Sequence, residues 1–429
     1  MRKHYLFYQF FRVIVSKYGL IFFYRRIRSV GREKIPKNTP VMFIPNHQNS
    51  FMDALLVVST NWKYTFFLTR AQAFSTAFMR WFLENLNMLP VYRVRDGMSS
   101  VTKNNAIFER CIRMLEKKYA VLVFAEANHN LNRRIRPLSK GFTRIAFDAE
   151  LANDWNLNLH VVPVGVNYTR HRESRNDVTV VYGDPIPMKQ YQEVYTEDER
   201  KAANVLKNDV AKVMKTCTMH VQNAQQYFAH RVILDEIADD RGHLVQPEKT
   251  RELGEKIDSL ATEEDYLAAE KLIELSEKED IDLSYLAAWT TGQITPLWKK
   301  ILLSPFILLG YLNFRLAYIP IEKLVTHTIK DHAFDASIKF LLSVFLFPTS
   351  MLVIAGLLWL IGVDAMWIWG YLANSFISLY GFKEWVRMRK LKKTEVKWQQ
   401  LASSKSEIYQ EMIESLELLK KLKAKVFDN

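Results

Sequence analysis

The chain has little cysteine. Cys111 and Cys217 are its only two in 429 residues, which excludes a disulfide framework and fits a reducing compartment. No cluster of cysteine and histidine has zinc-ligand spacing. No Gly-x-Ser-x-Gly elbow is present, so a serine nucleophile on a strand-to-helix turn is not indicated. The apolar N-terminal stretch has no small-residue cleavage site and is broken by Arg12 and Lys17, so it does not read as a cleavable signal peptide.

What is present is apolar, aromatic and basic. Hydrophobic residues make up 49% and aromatics 13%, enough for a sizeable core, and the formal net charge is +13. A basic excess calls for an anionic partner, either nucleic acid or an anionic membrane surface. Many of the basic residues flank apolar segments and form no stripe, which favours the membrane surface over nucleic acid.

Five regions follow along the chain. Residues 1–30 mix aromatic and basic side chains, from His4-Tyr5-Leu6-Phe7-Tyr8 to Arg25-Arg26-Ile27-Arg28. They suit an amphipathic interfacial helix at the headgroup level, or an ordinary helix packed on its domain. Residues 31–190 alternate strand-like runs (40–45, 64–68, 88–92, 120–125, 160–167 and 178–183) with helix-like ones (50–60, 71–85, 99–118 and 140–152). That alternation predicts an α/β domain with a mixed, largely parallel sheet flanked by helices, whose site gathers at the C-terminal ends of strands. Those ends carry His47, Arg93 and Glu126. Residues 191–298 are polar and mixed in charge, as expected of a helical extension.

Residues 299–382 form an apolar membrane region. Ile301–Ile321 holds Pro305, Asn313, Arg315 and Pro320 and reads as re-entrant or interfacial. Phe340–Ile361 and Ala365–Phe382 approach the roughly 20 apolar residues that cross a bilayer, which predicts a C-terminal membrane helical hairpin joined at Gly362-Val363-Asp364. Lys330 and Lys339 precede it, and Lys383, Arg387, Arg389, Lys390, Lys392 and Lys393 follow it. Both hairpin ends, and the catalytic domain with them, are therefore expected on the cytoplasmic face of the cell membrane. Residues 383–429 read as a basic cytoplasmic amphipathic helix, with Leu401, Ile408, Met412, Leu416, Leu419 and Leu422 at helical spacing.

Chemistry concentrates in Asn46-His47-Gln48-Asn49-Ser50-Phe51-Met52-Asp53, a polar knot between a short apolar run ending at Pro45 and an apolar helical run. A neutral imidazole can take a proton from an alcohol as that alcohol attacks an acyl carbon. A carboxylate on the other ring nitrogen fixes the tautomer and stabilises the imidazolium. Ser50-Phe51-Met52-Asp53 is equally a capping box, with Asp53 closing the start of its own helix. The pattern alone leaves both roles open.

The same block resembles the first motif of the glycerophospholipid acyltransferases, the lysophosphatidic acid and glycerol-3-phosphate acyltransferase family. Three further blocks are similar to that family's, in order. They are Leu89-Pro90-Val91-Tyr92-Arg93-Val94-Arg95, then Val123-Phe124-Ala125-Glu126-Ala127-Asn128 followed by Ser139-Lys140-Gly141-Phe142, and then Val161-Val162-Pro163-Val164-Gly165-Val166. The resemblance covers roughly residues 35–190. It implies a membrane-bound O-acyltransferase that moves a fatty acyl group from an acyl thioester to a hydroxyl of glycerol 3-phosphate or a lysophospholipid. His47 and Asp53 would be catalytic. Arg93 and Arg95 would hold the acceptor phosphate, with Glu126, Lys140 and Gly141 beside the acceptor and Pro163 near the donor. The scheme needs no metal or bound cofactor, only acyl-CoA or acyl-carrier protein as co-substrate, and no nucleic acid as partner.

Two departures stand out. Five residues separate His47 from Asp53 where the family usually has four, which demands a bulged turn. The third motif has Ala125, Ala127 and His129 in place of the usual proline, glycine and arginine. These departures leave room for an unphosphorylated acceptor such as an N-acyl amino acid, or for an inactive membrane-remodelling protein.

Overall fold

The computed structural model describes residues 5–92, 104–126, 128–172, 174, 176–237, 246–283, 297–329, 331–404 and 406–428. Arg93 and Arg95 lie outside the described residues. The chain divides into two compact units. The first comprises Met1–His220, Leu244–Glu248 and Asp331–Ser337, and the second comprises Val221–His243, Lys249–Lys330 and Ile338–Asn429.

The first unit is built on one sheet. Its strands are β1 (Arg26–Val30), β2 (Val41–Pro45), β3 (Thr65–Arg70), β4 (Met88–Val91), β5 (Ala120–Leu122), β6 (His160–Tyr168), β7 (Asp177–Tyr182) and β8 (Ile186–Pro187). Their order is β1-β7-β6-β2-β5-β3-β4, with β8 paired to β6. Every pairing is parallel except β6 with β7 and β6 with β8, so the sheet is mixed and largely parallel. Parallel strands linked by helices are covered on both faces and read as continuous apolar runs. Accordingly, all five residues of β2 and residues 161–168 of β6 are buried.

Two elements differ from expectation. The N-terminal helical stretch ends at Phe23, and the basic run Arg26–Val30 is an edge strand paired in parallel with β7. The helix Glu199–Cys217, expected in a separate extension, buries Ala202, Leu206, Val210 and Met214 in the core under the sheet.

The second unit is helical. Tyr227–Ile237, Pro247–Leu260, Glu263–Lys278 and Glu407–Asp428 share one apolar cluster with Trp398, in which Met412, Leu416, Leu419 and Leu422 are buried. The C-terminal helix is therefore packed against the helical extension, where the sequence suggested a separate cytoplasmic element. Thr262 and Asp265 form a capping box at the start of Glu263–Lys278.

Among the described residues, two helices are long and apolar enough to cross a membrane, Tyr5–Phe23 and His332–Leu360, and a third candidate is the pair Ile301–Arg315 and Ala317–Val325, bent by 67°. Ala365–Ser403 runs as one helix of 39 residues but does not reach that standard among the described residues. Its first half carries Asn374, Ser375 and Ser378, and the two serine hydroxyls lie 3.3 and 3.2 Å from Asn313 Nδ2. Of the expected hairpin, Phe340–Ile361 overlaps the apolar helix His332–Leu360, and Ala365–Phe382 opens the 39-residue helix.

Candidate active site

β2 delivers its polar end at a place the sheet makes rigid. Asn46 closes the strand by pairing with β6 through its side chain, donating to the Val166 carbonyl at 3.1 Å and accepting from the Val166 N–H at 2.7 Å. The chain then turns sharply. Gln48, Asn49 and Ser50 are buried, and Ser50 takes φ 47°, a left-handed conformation that costs a non-glycine residue energy and is kept where its surroundings over-determine it. This is the bulge that the five-residue spacing demands.

The turn brings Asp53 back to His47. Asp53 Oδ2 lies 3.0 Å from His47 Nδ1 and accepts the backbone N–H groups of Gln48 at 2.9 Å and Asn49 at 2.8 Å. Its other oxygen accepts the Tyr168 hydroxyl at 2.6 Å. The carboxylate is 0% exposed, so four donors replace its water shell. Ser50, at the N-cap of the helix Phe51–Thr60, makes no side-chain cap hydrogen bond. The capping-box geometry is therefore not formed. Asp53 instead ties the turn before its own helix to the imidazole.

His47 is held from several sides. Phe124 stacks on its ring at 3.9 Å between centroids with 17° between planes, and His129 meets it edge-on at 5.5 Å. Its carbonyl accepts the Asn130 N–H at 3.0 Å. Its own N–H donates to Glu126 Oε2 at 3.0 Å. With Nδ1 facing Asp53, Nε2 is the nitrogen left for a substrate, and no described residue hydrogen-bonds it.

Glu126 is a buried support. Besides the His47 N–H it accepts the Arg136 N–H at 3.0 Å and the Arg136 guanidinium at 3.1 Å, and its side chain is 1% exposed. Burial pushes its carboxyl above the usual range, against the lowering pull of Arg136 and the His47 N–H. Both oxygens are taken up by the protein, so its position explains the placement of His47 better than direct contact with an acceptor. Arg136 also bonds the Asn128 carbonyl. Arg133 is buried and donates to the Thr169 carbonyl at 2.9 Å, so Arg133 and Arg136 both brace loops.

The remaining expected residues are scattered. Lys140 is exposed just ahead of the helix Gly141–Leu151, and a Cβ at Gly141 would meet nothing within 4 Å, so neither is locked into the site. Pro163 is buried mid-strand in β6 opposite Ile44, where its carbonyl accepts the Gly183 N–H. It supports β2 from within the sheet.

Three participants were missed in the sequence. Tyr168 reaches Asp53 from 115 positions along the chain, and the pattern of β6 gave no sign of it. Gln48 and His171 hydrogen-bond at 3.0 Å, and Asn49 donates to the His171 carbonyl at 2.8 Å. Asp331 bonds His129 Nε2 at 2.7 Å.

The acyltransferase family model matches residues 26–167. Among solved structures, one similar to this chain is the 1-acyl-sn-glycerophosphate (LPA) acyltransferase PlsC from Thermotoga maritima. It is 17% identical, with 50% of this chain and 83% of that chain covered and a TM-score of 0.37. No curated protein matches the chain. Residues 26–167, which carry His47, Asp53 and Glu126 on the parallel core of the sheet, form a domain of the acyltransferase family.

Proposed function

We propose that the protein is a membrane-associated O-acyltransferase that moves a fatty acyl group from an acyl thioester, acyl-CoA or acyl-carrier protein, to a hydroxyl of a glycerol-phosphate-type lipid acceptor. The observation that carries this reading is the buried Asp53 carboxylate 3.0 Å from His47 Nδ1, on a domain of the acyltransferase family. In the reaction, His47 Nε2 takes the proton of the acceptor hydroxyl as its oxygen attacks the thioester carbonyl. Asp53 fixes the tautomer and balances the imidazolium. The tetrahedral intermediate collapses, the C–S bond breaks, and the imidazolium returns the proton to the departing thiolate. One ester is formed for one thioester consumed, with no acyl-enzyme and no resident cofactor.

The location at a membrane rests on the apolar helices. His332–Leu360 exposes Phe345, Leu352, Val353, Leu357 and Trp359, a surface that water does not favour and hydrocarbon does. The net charge of +13 suits an anionic leaflet, and the basic residues after Phe382 favour the cytoplasmic face for the segment that carries them. Arg93 and Arg95 are assigned to the acceptor phosphate. A panel of acceptors, phosphorylated and not, offered with acyl-CoA and with acyl-carrier protein and read by mass spectrometry, tests the assignment. Transfer only to unphosphorylated hydroxyls would remove the phosphate from it.

A further inference from the structure

A seven-residue piece from far along the chain belongs to the acyltransferase unit. Asp331–Ser337 lies between the apolar helices Leu297–Thr328 and, overlapping its first residues, Asp335–Leu360, yet it packs with the first unit. It meets three loops beside the site. Asp331 Oδ2 is 2.7 Å from His129 Nε2, in the loop after β5. Phe334 packs edge-on against the same imidazole at 4.7 Å. Asp335 accepts from Arg172 Nε, after β6, at 2.7 Å. Ser337 donates to the carbonyl of Asn49, in the His47 turn, at 3.3 Å. Ala333, Asp335, Ala336 and Ser337 are buried. At this seam two buried acceptors, Asn49 Oδ1 and Asp335 Oδ1, have no partner among the described residues, a demand that a donor on a ligand or a water would satisfy.

His129 is the piece's point of contact with chemistry. Its ring stands edge-on to His47 at 5.5 Å. With Nε2 on Asp331, its Nδ1 has no hydrogen-bond partner among the described residues. Two imidazoles at that separation each reach about 3 Å to a hydrogen-bond partner. A polar atom one to three bonds from the reacting hydroxyl therefore falls within range of His129 while the hydroxyl itself is on His47.

We propose that Asp331–Ser337 is a wall of the acyltransferase site and that Asp331 is a positioning residue, holding His129 so that its Nδ1 meets the polar head of the acyl acceptor. The inference rests on the reading of His47 as the base for that acceptor's hydroxyl. Without Asp331 the His129 side chain loses its anchor and the acceptor loses a contact, while the thioester donor, which need not touch His129, binds as before.

The test is steady-state kinetics of the full-length protein in membranes, varying acceptor and donor separately. The variants are Asp331→Ala, Asp331→Glu, His129→Ala and the double substitution Asp331→Ala with His129→Ala. The loss of one hydrogen bond to a charged or polar head predicts an acceptor KM raised about tenfold in each single alanine variant. The donor KM stays within about twofold. The double variant is no worse than His129→Ala alone, because the two residues act as one unit, and Asp331→Glu recovers part of the loss. Should Asp331→Ala fail to accumulate, His129→Gln gives the same KM split. An unchanged acceptor KM in the His129 variants, additive losses in the double variant, or a rise in donor KM instead would overturn the proposal while wild-type transfer stands. A wild-type protein that transfers no acyl group to any acceptor would instead overturn the functional reading beneath it.

Discussion

Replacing Asp53 by Asn separates the electrostatic from the architectural work of that side chain. The four donors around Asp53 are unequal. Three of them, His47 Nδ1 and the N–H groups of Gln48 and Asn49, converge on Oδ2, whereas only the Tyr168 hydroxyl meets Oδ1. An asparagine can set its oxygen at the Oδ2 position and keep all three. Its amide nitrogen then faces the Tyr168 hydroxyl, which can turn to accept instead of donate. The turn survives, at a cost of about 1–3 kcal/mol for hydrogen bonds to a charged group becoming neutral ones. The charge does not survive, so nothing balances an imidazolium at His47. In a serine-protease triad the same substitution lowers kcat about 10⁴-fold, and a comparable loss is expected here with the protein still folded. Acyl transfer by membranes carrying the variant, with a thermal melt of the same preparation, reads both quantities. Turnover within about tenfold of wild type would refute the assignment of Asp53 as the electrostatic partner of His47. Asp53→Ala is the contrast, because it leaves the buried Gln48 and Asn49 N–H groups without an acceptor and is expected to lose the fold of the turn as well.

Tyr168→Phe removes one hydrogen bond from a fully buried carboxylate and is expected to lower kcat about tenfold with little change in either KM; a change in acceptor KM alone would place Tyr168 elsewhere in the scheme. Glu126→Gln replaces a carboxyl that burial raises above its usual range. The native state therefore holds this proton more tightly than the unfolded chain, and the group's contribution to stability falls as pH rises from the ordinary glutamate value through the raised one. Melting curves taken across that range should show a flatter pH slope for the variant, together with reduced activity from the loosened His47 backbone; an identical slope would contradict the burial argument. Gly165→Ala drives a Cβ into the Cys217 carbonyl, which is backbone and cannot swing aside. A loss of about 3 kcal/mol or more is expected, and a melt within a degree or two of wild type would show that the end of the helix Glu199–Cys217 can shift.

How legible the molecule was follows from how far each feature reaches along the chain. β2, β3, β4, β5, β6 and β7 lie where apolar, β-branched runs place them, because strands buried on both faces must read that way. β1 is different. Arg26–Val30 is basic and mostly exposed, paired with β7 at the sheet edge, so its composition belongs to a surface and its pairing with β7 makes it a strand. The His47 turn was legible as a requirement, since five intervening residues demand a bulge, but not as the residue that bears it; Ser50 at φ 47° is a matter of geometry. Glu126 stood out as a carboxylate near a strand end, yet whether it faced a substrate or the His47 backbone depended on Arg136. Tyr168 and Asp331 carry no local signal, because what they do is set by partners 115 and 202 positions away.

The central claim is that His47 acts as the base that activates an acceptor hydroxyl, and its most direct test is single-turnover acyl transfer by His47→Ala. With labelled acyl thioester and saturating acceptor, measured on a folded preparation, transfer should fall by about 100- to 10,000-fold while the thioester still binds. Transfer at the wild-type rate by the folded variant would contradict it.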